Sequence, residues 1–113
     1  MGDVMAALPL LKGTLDVLVL KALAWAPMHG VEIVTWLEDR SGGSLEVDDG
    51  ALYYALHRME ERGLVSSEWR ITENNRRARF YQMRPAGRRY LKETGSVVAR
   101  YARTLTAILG SAS

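Results

Sequence analysis

The run from Gly50 to Gly63 constrains this chain most. It reads as a helix with an explicit start and stop. Asp48 or Asp49 is suited to the N-cap, and Gly63 suits the left-handed residue just past the end. Within it, Leu52, Ala55, Leu56 and Met59 fall on one helical face. Gly50, Tyr54, His57 and Glu61 point the other way, with Tyr53 and Arg58 on the flanks. The outward face is aromatic and hydrogen-bonding rather than laced with paired charges. Two extended runs follow, Leu64–Ile71 and Ala78–Arg84, around the polar turn Thr72-Glu73-Asn74-Asn75-Arg76-Arg77. On the first strand Val65, Ser67, Trp69 and Ile71 share a face, and Tyr81 and Met83 are the expected inward pair of the second.

Upstream, the pattern predicts two more helices. The first starts near Gly13-Thr14, with Thr14 as the expected N-cap and Asp16 in the favourable first turn. Leu15, Leu18, Val19, Ala22 and Leu23 form one apolar stripe, while Val17 and Leu20 fall off it and imply a second buried side. Trp25-Ala26-Pro27 ends this helix. The second runs from His29-Gly30 to Arg40 and stops at Ser41-Gly42-Gly43-Ser44, and Leu45-Glu46-Val47 is an extended bridge to the third. After the hairpin, Pro85-Ala86-Gly87 opens a last helix running toward Leu109, with proline in the first turn, where a missing N–H costs little. Three helices and a basic hairpin give the layout of a winged helix-turn-helix. The expected fold class is mainly α with a small β-hairpin plus a C-terminal dimerisation helix. Residues 1–9 form a flexible arm, 10–84 the winged domain and 85–113 the last helix.

Charge and composition sharpen the reading. The 113 residues carry 15 Lys and Arg against 13 Asp and Glu, so the net charge of +2 says little, but its distribution says more. From Ser67 to Lys92 the basic residues are Arg70, Arg76, Arg77, Arg79, Arg84, Arg88, Arg89 and Lys92, opposed only by Glu68 and Glu73. Such a run is often just a solvated face, but directly after a polar-faced helix it favours phosphate contact. The chain has no cysteine, which excludes disulfides and thiolate metal sites and fits a reducing cytoplasm. No apolar run is long enough to span a membrane, and the N-terminus has no basic region of a signal peptide. No Ser-His-Asp spacing, metal cluster or glycine-rich phosphate loop suggests an enzyme, and neither a cofactor nor a metal is expected. His29 and His57 are isolated and read as capping or surface residues.

The candidate nucleic-acid contacts are therefore Tyr53, Tyr54, His57 and Arg58 on the helix and Arg76, Arg77 and Arg79 on the hairpin, with Lys12 a weaker phosphate candidate. Each has a plainer alternative: Tyr53 as a half-buried core tyrosine, His57 as an idle surface residue, Arg58 as an ion pair with Glu61. Asp48 and Asp49 would repel phosphate unless engaged in capping. Trp25 and Trp69 read as core. On the last helix Leu91, Val98 and Leu105 recur every seven residues, interleaved by Thr94, Tyr101 and Ile108 and widened by Ala102 and Leu109. A helix of that length outreaches the core of one small domain, so the stripe is expected to pair with a second copy. The competing reading is a winged-helix module that meets an acidic protein instead of DNA.

Several motifs together resemble the PadR family of bacterial transcriptional regulators. They are Leu11-Lys12-Gly13-Thr14-Leu15-Asp16, Pro27-Met28-His29-Gly30, Ser41-Gly42-Gly43, Gly50-Ala51-Leu52-Tyr53, Ala55-Leu56-His57-Arg58-Met59-Glu60 with Gly63, the wing residues Arg77, Arg79 and Tyr81, and Pro85-Ala86-Gly87-Arg88-Arg89. The resemblance covers residues 10–92. It implies a homodimer that binds double-stranded operator DNA, usually as a repressor, in the compact subgroup with one dimerisation helix. It also implies a small aromatic effector, because some members sense aromatic compounds at the dimer interface. Here the last helix has Tyr90 and Tyr101 but no tryptophan, which leaves the effector unassigned. Three positions depart from the usual pattern: Tyr54 in place of proline, Val31 in place of tyrosine and Arg84 in place of threonine. Arg84 cannot cap the last helix as threonine would, a loss of about 1 kcal/mol.

Overall fold

The computed structural model describes residues 13–110, in the order α1 (Thr14–Trp25), α2 (Gly30–Arg40), α3 (Asp49–Glu61), β1 (Val65–Ile71), β2 (Arg77–Met83) and α4 (Pro85–Leu109). Lys12 and the expected N-terminal arm lie outside the described residues. The architecture is the expected one: four helices and a two-stranded antiparallel hairpin.

α1 sits at the centre. Val17, Val19, Leu20, Ala22 and Leu23 are all buried, so both sides of the helix face protein. It packs against α2, α3, α4 and β2. The expected cap is corrected: Thr14 is the first helical residue, and Gly13 occupies the N-cap at φ 86° with no side-chain hydrogen bond. Around α1 the core is completed by Ile33 and Leu37 of α2, by Leu52, Ala55, Leu56 and Met59 of α3, and by Leu64, Val65 and Tyr81 of the hairpin. The α3 stripe is the one its periodicity predicts. Leu45 and Val47, in the bridge before α3, lie half-buried on this core.

The helix ends follow ordinary capping chemistry. Asp48 caps α3, its carboxylate accepting from the Ala51 N–H at 2.9 Å. Gly63 lies at φ 76°, a conformation that favours glycine, and closes the helix. Glu32 accepts from the His29 backbone N–H at 3.1 Å and fixes the start of α2.

In the hairpin Val65 pairs with Met83, Ser67 with Tyr81 and Trp69 with Arg79. Val65 and Tyr81 are buried, but burial falls off toward the tip. Trp69 lies four residues beyond Val65, about 13 Å farther out along the strand, past the edge of the core. It is 54% exposed, and Trp25 at the end of α1 is 71% exposed, so neither is the core residue expected from its type. The root of the hairpin is tied to the segment before α2 by two backbone bonds, Met28 N–H to Tyr81 O at 3.1 Å and Tyr81 N–H to Met28 O at 2.9 Å.

α4 begins with Pro85 in its first turn, and Arg84 provides no side-chain cap, as expected. Its first half lies along α1, with Leu91 packed on the core and Val98 half-buried. From Tyr101 onward every described residue is exposed. Its entry is set by a close approach. A Cβ on Gly87 would collide with the Leu64 carbonyl oxygen, which also accepts from the Arg84 N–H at 3.0 Å. Gly87→Ala is expected to destabilise the fold by about 1–3 kcal/mol, through forced separation of α4 from the hairpin root. Urea denaturation checks this, and an unchanged midpoint would rule out the close contact.

Candidate nucleic-acid interface

The outward face of α3 is presented as the sequence predicts: Gly50, Tyr54, His57 and Glu61 are all exposed. Tyr53, on the flank, is half-exposed and lies over Gly30 at the start of α2 so closely that a Cβ there would meet the phenol. A glycine at this point leaves room for the phenol end of the tyrosine beside α2. His57 turns its Nε2 toward Glu61 at 3.4 Å, on the exposed surface.

Arg58 does not pair with Glu61. Its Nη2 donates to both carboxylate oxygens of Asp16 at 2.6 Å, across forty-two residues of sequence. Asp16 is the buried charged residue of α1. The Asp16 hydrogen bond, working against desolvation, raises the guanidinium pKa above its already high value. On its other side the same guanidinium lies 5.2 Å from the centroid of the Tyr54 ring. In the sequence Asp16 is a first-turn acid of α1, a role that needs no partner side chain. A carboxylate among apolar neighbours on a helix buried on two sides was the available signal, because a buried charge requires a counter-charge.

The wing is built around arginine and aromatic side chains. Asn75 sits at φ 59°, and its N–H donates to the Thr72 carbonyl at 2.9 Å, so the asparagine-rich turn forms as expected. Behind it, Trp69 carries two guanidinium groups, Arg77 at 4.9 Å and Arg79 at 5.6 Å from the ring centroid. Arg79 also donates to Ser67 Oγ at 2.8 Å and lies 3.7 Å from Glu60, while Ser67 donates to Glu60 at 2.7 Å. This Glu60–Ser67–Arg79 network joins the last turn of α3 to the wing, and sequence spacing gave no hint of it. Burial pushes the Tyr81 phenol pKa up, deep at the root of the same strand. Among the described residues, Arg76 and Arg77 have no carboxylate within ion-pair distance.

These parts share one concavity. An open cleft of about 540 Å³ is lined by His29, Gly30 and Tyr53 on one wall, and by Trp69, Arg76, Arg77 and Arg79 on the other. Tyr53 and the three wing arginines are thus brought together. Tyr54 and His57 lie farther round the helix, and Arg58 points back into the body. Among the described residues no group of three or more His, Cys, Asp and Glu could hold a metal, and no helix is long and apolar enough to cross a membrane.

A polar-faced third helix beside an arginine-rich hairpin, on this helical body, defines a winged helix-turn-helix protein. Residues 19–93 match the model of the transcriptional regulator PadR-like family, and the chain belongs to that family. It is 38% identical over 77 residues to the transcriptional regulator Rv3488 of Mycobacterium tuberculosis, covering 67% of each protein. A solved PadR family transcriptional regulator from Eggerthella lenta is 27% identical with a TM-score of 0.70, covering 89% of this chain and 86% of that one. Bacillus subtilis PadR, solved in complex with operator DNA, shares the fold at 16% identity and TM-score 0.62, covering 70% of this chain and 45% of its own.

Because Trp69 stands outside the core, Trp69→Ala is expected to cost only about 1 kcal/mol of folding free energy, the loss of two exposed cation–π contacts. A buried tryptophan would cost about 3–5 kcal/mol. Chemical denaturation distinguishes the two.

Proposed function

We propose that this chain is a homodimeric, sequence-specific DNA-binding repressor acting on an inverted-repeat operator. One observation carries the reading: Tyr53 of α3 and the wing residues Arg76, Arg77 and Arg79 line a single open cleft beside the exposed face of α3. A helix entering the major groove by that face would set the wing arginines against the flanking phosphates or minor groove. Arg79 is already matched by Glu60, but among the described residues Arg76 and Arg77 have no carboxylate partner, so near the hairpin tip they repel one another until an anion binds. Tyr53, Tyr54 and His57 are the proposed groove contacts, and Lys12 is a further phosphate candidate.

Two subunits would join through α4. Tyr101, Leu105, Ile108 and Leu109 are exposed apolar residues on its free half, with Ala102 beside them. Val98 and Leu91 continue the stripe onto the half that packs on its own domain. The operator would then be palindromic, because a two-fold protein reads a two-fold site. Action in the cytoplasm, without enzymatic turnover, completes this reading. A small aromatic effector stays an implication of the resemblance, since Tyr90 on α4 is already stacked by Arg62 at 5.2 Å.

A gel shift with the inverted repeat upstream of the chain's own gene tests the proposal directly, and no shift at low ionic strength would refute it. Arg77→Ala is expected to weaken binding to all duplexes and to flatten the plot of log affinity against log salt by about one unit per subunit. An unchanged slope would remove Arg77 from the contacts. Replacing Leu105 and Ile108 together with aspartate is expected to yield folded monomers in sedimentation velocity with operator affinity lost. A persisting dimer would place the interface elsewhere.

A further inference from the structure

We infer that Arg58 is a positioning residue for base reading: anchored by Asp16, it holds the Tyr54 ring in place and sets operator preference through that tyrosine rather than by touching phosphate. The inference rests on the DNA-binding reading above and deepens it.

Three observations converge. First, the charge of Arg58 is already matched. Both oxygens of Asp16 accept from its Nη2, and the Asp16 side chain is 5% exposed, so the pair is closed off on the α1 side. Although the Arg58 side chain is 38% exposed, the pair is neutral as a unit, so a phosphate approaching it gains little attraction. Second, Tyr54 is 66% exposed and lies one helical turn before Arg58. Long helical side chains lean toward the N-terminus, so Arg58 reaches back beneath the ring, 5.2 Å from its centroid. Third, the anchor belongs to a different element. Asp16 lies on α1, whose other contacts fix it within the core, so Tyr54 takes its orientation from the body of the domain as well as from α3.

The result is an aromatic ring held by a cation from behind and open in front. Its O–H can donate to or accept from a base edge, and its ring can pack against a thymine methyl group. Without the anchor, the tyrosine would sample its rotamers freely and contact bases with less selectivity.

The test uses duplexes selected by the full-length wild-type chain from a randomised pool, compared with a scrambled duplex at several salt concentrations. Arg58→Met is expected to lower the ratio of selected to scrambled affinity about tenfold, with the salt slope unchanged. In a Tyr54→Ala background the same change should have no further effect on the ratio. Asp16→Asn should also lower the ratio and, by releasing the guanidinium, steepen the salt slope. The combination Asp16→Leu with Arg58→Met leaves no buried charge unpaired, so it keeps the test valid if Arg58→Met alone fails to fold. It should match Arg58→Met in its ratio. The inference is overturned if Arg58→Met or the double change flattens the slope by about one unit per subunit and leaves the ratio intact, the mark of a phosphate contact. It is equally overturned if loss of Arg58 lowers the ratio as much in the Tyr54→Ala background as in the wild type. A wild-type chain that selects no duplex refutes the functional reading itself, and this inference with it.

Discussion

The structure depends on α1 being buried on two sides, with Lys21, Ala24 and Trp25 as its exposed residues. A twelve-residue helix must pack at once against α2, α3, the hairpin and the long terminal helix, so it is apolar almost all round. In a domain this small the core cannot be divided into independent layers. One helix therefore sets the relative placement of the element proposed to read DNA and the element proposed to pair subunits. Asp16 is the exception among those apolar neighbours, and its carboxylate is held by an arginine of α3. The only charge buried in α1 is thus tied to α3.

Much of this was legible in the sequence because it rests on local rules. The period of Leu52, Ala55, Leu56 and Met59, the capping aspartate before α3, Gly63 after it and the asparagine turn all depend on chemistry within a few residues. The two buried sides of α1 could be read from Val17 and Leu20 falling off the main stripe. What escaped depends on distance in three dimensions. Periodicity assigns Arg58 to a flank but cannot say that α1 passes behind it. Residue type places Trp69 in the core, whereas its position along a strand that outruns the core decides otherwise. Thr14 is a good N-cap residue, yet the chain enters α1 with Gly13 at positive φ, and the threonine falls one position inside.

A second theme is how exposed aromatic residues are handled. Trp69 is covered by Arg77 and Arg79, and the guanidinium of Arg40 lies between Trp25 and Trp36, 5.6 and 4.5 Å from their rings. Arg70 stacks on Phe80 and Arg58 on Tyr54. Each such contact contributes about 0.5–1 kcal/mol at an exposed site, too little to hold the fold. Their effect is to restrict long side chains that would otherwise lose entropy on binding. For Arg77 and Arg79, the proposed phosphate contacts, this means that part of the ordering such contacts would need is already complete in the free protein.

The paired backbone bonds between Met28 and Tyr81 have a mechanical consequence. They clamp the hairpin at one end, while the turn from Thr72 to Arg76 hangs beyond the packed body. Such an arrangement is a cantilever, whose free end sweeps through a wide arc for a small strain at the fixed end. In the DNA complex proposed above, the arginine-bearing tip would follow grooves of different width while Val65 and Tyr81, at the clamp, stay in register with the core.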